Sequence, residues 1–470
     1  MKRRLLKGFV CAMLCVATLP ALAQTNNGGG NNSGGNSGGN NNNNNRSSSG
    51  IRIDAAGLMT AVLPSDSDAA LDHRRRTALA RKSEAGDWTK PSECRKVSLN
   101  RLEEAYTAAK KAGQALPTDL TQLAGLQQID YLFVLPESRD LVIAGPAEGC
   151  VPDAIGRMVG VESGRPALNL EDFCVIWRTL ATAPVVGCSI DPEPARLAQL
   201  QKFLAQNSTA ATINVVEQRF QMMPAILGPQ NVSVTGVPAD SHAGAVLVEA
   251  DWRMKRISLG LENHRVKGLR SHLDMLTTAG GNSMQRWYFV PLYDELVKSQ
   301  DGMTFAFRGQ RAQLVSQEEL TDASGTRSEA PTTRLSTTAF AKQFTKRFPD
   351  LAARSPVFAE LQNLVDWTLV ASLIRRDGLA EKVGWSVEVF SDPLQSDYTH
   401  GAAPRTVASL VNAKRAGNTV IGLVGGGVSI GQKRLLDAGA WQAENGQRLD
   451  GQRTTAVEGA RSAAHPWWWD

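Results

Sequence analysis

Charge of one sign is in short supply along this chain of 470 residues, with 51 Lys and Arg against 46 Asp and Glu. Four of the five surplus positive charges are Lys2, Arg3, Arg4 and Lys7, so the chain after residue 23 carries +1. A near-neutral chain makes no electrostatic case for nucleic acid or an anionic membrane, and neither is expected as a partner. Histidine is scarce, at six residues, and no two stand at the i,i+4 spacing of a zinc-binding helix. Cysteine also numbers six. No Cys-x-x-Cys pair occurs, which removes the compact thiol sites for zinc and redox exchange. No clear fixed-period repeat is present, which argues against a solenoid or propeller. Neither a metal nor a cofactor is expected.

What is present begins with an address. Lys2, Arg3, Arg4 and Lys7 precede an apolar run from Phe9 to Leu19, and Ala21-Leu22-Ala23 follows as a small-x-small cleavage pattern. The run is about eleven residues, short of the roughly twenty that span a bilayer. Residues 1–23 read as a cleavable secretory signal with Gln24 as the first mature residue, and the protein is expected to be periplasmic or secreted. Cys11 and Cys15 lie inside the run without the small pair that precedes a lipidated cysteine. Residues 24–50, almost purely Asn, Gly and Ser, have nothing to bury and read as a disordered spacer. About 420 residues then remain, enough for two domains. The expected division is 51–190, 191–430 and a tail at 431–470.

Local signals imply an α+β fold of short-strand sheets, hairpins and amphipathic helices, without regular βαβ alternation. Hairpins are expected at 51–62, around Ala55-Ala56-Gly57, and at 131–144, around Pro136 to Asp140. Asn100 and Glu103 have capping-box spacing ahead of a helix that Gly113 ends. A helix at 170–182 leads to a strand at 184–190, and Asp191-Pro192 opens another helix with Leu197, Leu200, Phe203 and Leu204 on one face. Strands are expected at 232–237, 287–292, 303–307, 385–390 and 419–424. Helices are expected at 67–84, at 242–259 with an amphipathic pattern, and at 357–374 with Ser355 as cap and Pro356 in its first turn.

Candidate chemistry is thin. Asp240-Ser241-His242 holds the residue types of a hydrolase triad, but neighbours in sequence point apart, and Asp240 or Ser241 reads better as a helix cap. His264, His272 and Asp274 are too dispersed for a metal set and read as solvated or core residues. Gly425 to Gly431 follows a strand, yet Ile430 stands where a dinucleotide loop needs its last glycine, and Gln432-Lys433 does not continue a P-loop. A flexible turn or closely packed backbone is the expectation. Glu249, Asp251, Arg253 and Lys255 suggest surface ion pairs on one helix. Asp366 has apolar helical neighbours and needs an arginine partner or a raised pKa. The basic run His73-Arg74-Arg75-Arg76 reads as a solvated face. Trp467-Trp468-Trp469 should dock on the fold or anchor an interface.

Four cysteines follow the leader, namely Cys94, Cys150, Cys174 and Cys188, and an even count in an exported chain favours disulfides, with four free, buried thiols as the alternative. From Cys174 the chain runs up a helix for roughly 10–12 Å and returns along a strand for roughly 13 Å, so Cys174 can meet Cys188. Cys94 is then left for Cys150.

Five segments carry a resemblance: Cys94 to Leu99, Leu141 to Gly149, Cys188 to Pro192, Val248 to Asp251, and Arg286 to Pro291. They are similar to those of a family of uncharacterised exported bacterial proteins known mainly from planctomycetes. The resemblance implies export and a shared fold across most of residues 51–430, and it transfers no catalytic residue. The resulting expectation is an envelope protein that binds or scaffolds an envelope protein or polymer without catalysis. The alternative is an envelope hydrolase whose site is assembled from residues scattered in sequence.

Overall fold

The computed structural model describes residues 51–470 apart from 54–58, 62–68, 82–85, 210, 277–282, 322–323, 325, 393–402, 417, 423 and 445–447. The leader and the Asn-rich spacer lie outside the described residues.

Both expected hairpins form. β1 (Ile51–Ile53) pairs with β2 (Met59–Ala61), followed by α1 (Ala69–Ala80). β3 (Ser92–Ser98) then runs directly into α2 (Leu99–Lys111) and the short α3 (Thr118–Thr121). The cap of α2 is Ser98, whose Oγ accepts from Arg101 N at 3.2 Å, not Asn100. Asn100 is drawn away because its Nδ2 donates to Arg139 O and its Oδ1 accepts from Leu141 N. β4 (Tyr131–Leu135) and β5 (Asp140–Ala147) make the second hairpin, and β6 (Cys150–Pro152) pairs with β7 (Met158–Gly160).

α4 (Leu170–Thr179) leads to β8 (Val185–Asp191), as the sequence implies. The expected division at 190/191 falls inside β8. Two helices, α5 (Pro194–Gln206) and α6 (Ile213–Leu227), connect β8 to its antiparallel neighbour β9 (Gln230–Thr235). α7 (His242–Ser258) and α8 (His272–Met275) precede β10 (Ser283–Leu292), β11 (Glu295–Lys298), β12 (Thr304–Arg308), β13 (Arg311–Thr321) and β14 (Arg327–Glu329). Helices follow as α9 (Leu335–Lys346), α10 (Phe348–Arg354), α11 (Pro356–Arg376), α12 (Leu379–Lys382) and α13 (Glu388–Ser391). The last stretch holds β15 (Thr406–Val407), β16 (Asn412–Ala416), β17 (Asn418–Gly422), β18 (Val424–Gly431), α14 (Gln432–Leu435), β19 (Trp441–Ala443), α15 (Arg448–Ser462) and β20 (Trp468–Trp469).

Two seven-stranded sheets organise this mixed α+β fold. Sheet A runs β14-β13-β10-β18-β8-β9-β15, and only the β10–β18 pair is parallel. Sheet B runs β19-β11-β12-β4-β5-β3-β20, with β11–β19 as its parallel pair. All four edges are strands of two or three residues, which leaves little backbone open to pairing with another chain. In sheet B the period-two alternation divides the apolar residues. Leu132, Val134, Leu141 and Ile143 face the main core, while Phe133, Leu135, Val142 and Ala144 face Ala456 of α15 and Trp469.

Tertiary context overrules two expectations and decides between the two alternatives of a third. The segment 385–390 is irregular chain ending in α13, with Val387 at φ 53°. Its backbone is tied instead to Glu103, which accepts from Val389 N at 2.6 Å and Phe390 N at 2.9 Å. The glycine run is closely packed backbone rather than a flexible turn: it lies inside β18, near the middle of sheet A. A Cβ at Gly426 would sit 2.1 Å from Trp287 O, and one at Gly427 would sit 2.2 Å from Cys188 O. Finally, α7 and α11 show no solvent face worth the name. Nearly every residue of both is buried, because α7 lies on β8 and β18 while α11 is enclosed by α4, α7, α10 and β13. By length and composition α11 could cross a membrane, but it is the central helix of this core.

Candidate functional site

The densest gathering of titratable groups surrounds α7. Glu249, Asp251, Arg253 and Lys255 are ion-paired as their spacing implies, but inside the protein rather than on its surface. Lys255 Nζ lies 2.8 Å from Asp251 Oδ2 and donates to Ile190 O at 3.2 Å. Burial raises the Asp251 carboxyl, and Lys255 opposes that rise. Arg253 donates to Glu262 Oε1 at 2.6 and 2.9 Å and to Ser355 Oγ at 3.2 Å, so the residue expected to cap α11 is used as an acceptor for a neighbouring helix.

At the head of α7, Ser241 Oγ accepts from Gly244 N and caps the helix. The ring of His242 is then buried between α4 and α11. Its Nδ1 is 3.0 Å from both carboxylate oxygens of Asp172 on α4, and its Nε2 is 3.5 Å from Glu360 Oε1 on α11. Glu360 Oε2 in turn is 3.0 Å from Arg157 Nε, and Arg157 Nη2 pairs with Glu249. Arg157 reaches this point from the turn between β6 and β7, where Asp153 Oδ1 accepts from Ile155 N and Arg157 N. α1 clasps the same turn. Arg75 donates to Asp153 O, and Arg76 to Val161 O and Glu162 O just past β7, so the basic run also grips backbone while Arg74 and Arg75 stay exposed, as a solvated face would. Burial opposes the charge on His242, yet Asp172 and Glu360 outweigh it and hold the imidazole well above its ordinary value. Burial likewise disfavours ionised Glu360, but Arg157 and His242 bring its carboxyl below the usual range.

Asp366 heads a second buried network. Its carboxylate accepts from Tyr293 Oη at 2.7 Å, Ile129 N at 3.0 Å and Arg311 Nε at 3.1 Å. Arg311 also holds Asp130 at 2.7 Å. The arginine partner expected from sequence is therefore present, in the interior. Burial pushes the Asp366 carboxyl up, with Arg311 pulling against it.

Other flagged residues are dispersed. His272 packs 5.0 Å from the Trp287 ring, and burial lowers its pKa to about 4. His264 Nδ1 accepts from Val266 N, and Asp274 accepts from Ser271 Oγ. Among the described residues, no group of three His, Cys, Asp or Glu is arranged to hold a metal ion. Gly427-Val428-Ser429-Ile430-Gly431 has the Gly-x-Ser-x-Gly spacing of a nucleophile elbow. Ser429, however, sits inside β18 opposite Gly187, not on a sharp strand-to-helix turn.

The expected disulfides are absent: Cys94, Cys150, Cys174 and Cys188 form no disulfide. The helix–strand reversal from α4 to β8 forms, but Cys188 Sγ turns to α7 and donates to Leu247 O at 3.2 Å. Cys94 packs beside the small cluster under α15, whereas Cys150 is buried on β6, its thiol pushed by burial to about 12. The triple tryptophan docks on the parent fold. Trp468 and Trp469 pair with Val97 and Lys96, and Arg95 lies 4.6 Å over the Trp468 ring while holding Asp470 at 2.8 Å.

A different kind of site lies on α5 and α6. These helices pack chiefly on each other and form their own small core of Leu197, Leu200, Met223 and Leu227. A shallow groove between them is lined by Phe203, Leu204, Asn207, Val216, Arg219, Phe220 and Met223. Arg219 is engaged within the arm, donating to Asn207 O at 2.9 Å and Thr209 O at 3.2 Å. Val215 and Met222 are exposed beside the groove at 39% and 52% of their surface, making apolar contact available.

Sequence reasoning missed Asp172, Glu360 and Arg157. The first two carried the same signal as Asp366, an acid among apolar helical neighbours: Asp172 precedes Phe173, and Glu360 stands between Ala359 and Leu361. Residues 188–272 match a family described as a protein of unknown function (DUF1598). That stretch begins in β8 and contains the α5–α6 arm, β9 and the whole of α7. No curated protein and no solved structure matches the chain.

Proposed function

We propose that the chain is an exported envelope protein that binds or scaffolds an envelope protein or polymer without catalysis, in the periplasm or outside the cell. The groove between α5 and α6 carries this reading. It is lined by apolar side chains with one asparagine and one internally engaged arginine, and no carboxylate, histidine, serine or cysteine is among them. Such a surface holds apolar groups, but it supplies no nucleophile and no general acid or base. Export is supported by the charged, apolar and small-residue parts of residues 1–23, and by the resemblance to exported bacterial proteins known mainly from planctomycetes. A hydrolase would have to draw on Asp172, His242 and Glu360, whose side chains are buried against one another.

The test combines Val215→Glu with Met222→Glu. The double variant should release the protein from its own envelope fraction while its unfolding midpoint stays near the native value. Undiminished retention would count against the arm. Turnover of an ester, amide or glycoside substrate by native protein, lost in Asp172→Asn, would overturn the non-catalytic reading.

A further inference from the structure

We propose that His242 is a stored proton: a buried imidazolium that latches α4, α7 and α11 together and that alkaline conditions release. The donor count carries the argument. Each ring nitrogen faces a carboxylate, Nδ1 toward Asp172 and Nε2 toward Glu360, and an ionised carboxylate only accepts. A neutral ring has one N–H and can satisfy one of them; the imidazolium has two and satisfies both.

The surroundings supply no substitute for that charge. Among the described ion pairs, His242 is the cationic partner of Asp172, while Arg157 is shared by Glu360 and Glu249. The remaining titratable groups around this cluster are Arg253, which lies 3.8 Å from Glu249 and is held by Glu262 at 2.6 Å, and two acids: Glu171 on α4, whose Oε1 accepts from His242 N at 3.1 Å, and Asp153 in the β6–β7 turn. The two acids favour a cation at the ring. The three helices tied by this proton start from separate parts of the chain, so its loss loosens packing between them rather than within any one of them.

The sign follows from linkage. A histidine held above its ordinary value near 6.5 stabilises the fold fully below that pH, and the contribution is lost as pH rises through the raised value. His242→Gln should therefore be less stable than native protein at pH 6, with the difference shrinking as pH rises. A constant difference at every pH would sink the latch. Because that variant risks failing to fold, ring-15N histidine NMR on the native chain provides an independent measurement. Both His242 nitrogens should remain protonated at pH 8. A ring with one bare nitrogen, the proton residing on Asp172 instead, would overturn the assignment.

Discussion

The core around α7 and α11 and the arm of α5 and α6 invert the usual placement of charge and grease. In the core, Arg157, His242, Glu249 and Glu360 are buried and joined by ion pairs. In the arm, Arg196, Lys202, Glu217 and Arg219 are the sole charged residues from Pro194 to Leu227, and apolar side chains reach the surface. Buried charge that is fully paired contributes little net stability yet is costly to break, so it specifies one arrangement. Apolar surface left open costs hydration and signals contact with something else. The contrast separates the region that holds the fold from the region we propose for recognition of a partner.

Removing one member of the core network should have the largest effect. Arg157→Ala leaves Glu249 and Glu360 buried without their shared counter-charge, and should cost about 3–5 kcal/mol in denaturant unfolding. A loss below about 1 kcal/mol would show that the network is solvated and that the contrast is false. The arm should respond locally instead. Met223→Ala removes a buried contact between α5 and α6 and should cost about 2–3 kcal/mol of arm stability. Hydrogen exchange should quicken in 194–227 while α7 and α11 keep their protection. Simultaneous loss of protection in α7 would merge the two regions into one cooperative unit. Least of all, Val215→Ser should shift global stability by under about 0.5 kcal/mol, measured by thermal unfolding, since the side chain is already partly in water.

How far the sequence can be read follows the same division. Hairpins at 51–62 and 131–144, the α4-to-β8 reversal, Ser241 as a cap and Pro356 at the head of α11 rest on local chemistry, and the structure contains them. The burial of Glu249 and Arg253 could not be read that way, because i,i+4 acid–base spacing is identical on a wet helix face and a dry one. Only the packing of α4, α11 and sheet A around α7 decides it. Asp172, His242 and Glu360 converge from positions 70 and 118 residues apart, and no local window contains them. The arm's apolar groove was legible in part, since Leu197, Leu200, Phe203 and Leu204 mark one face of α5. The disulfide expectation rested on path lengths, which say nothing of the direction in which each thiol points.

The place of β18 sets an order of assembly. This strand joins β10 to β8, yet it comes more than a hundred residues after the first and more than two hundred after the second. Before residues 424–431 are available, sheet A exists as two separate pieces, β8 with β9 and β10 with β13, whose facing edges have no partner. A sheet completed by so distant a strand carries a high loop-closure cost and folds slowly. Gly426 and Gly427 let that late strand sit between two backbones, β10 and β8, that approach too closely to admit a side chain at either position. The chain is thus a lock whose key is cut last, and a truncation just before residue 424 should leave two exposed strand edges, an invitation to aggregate.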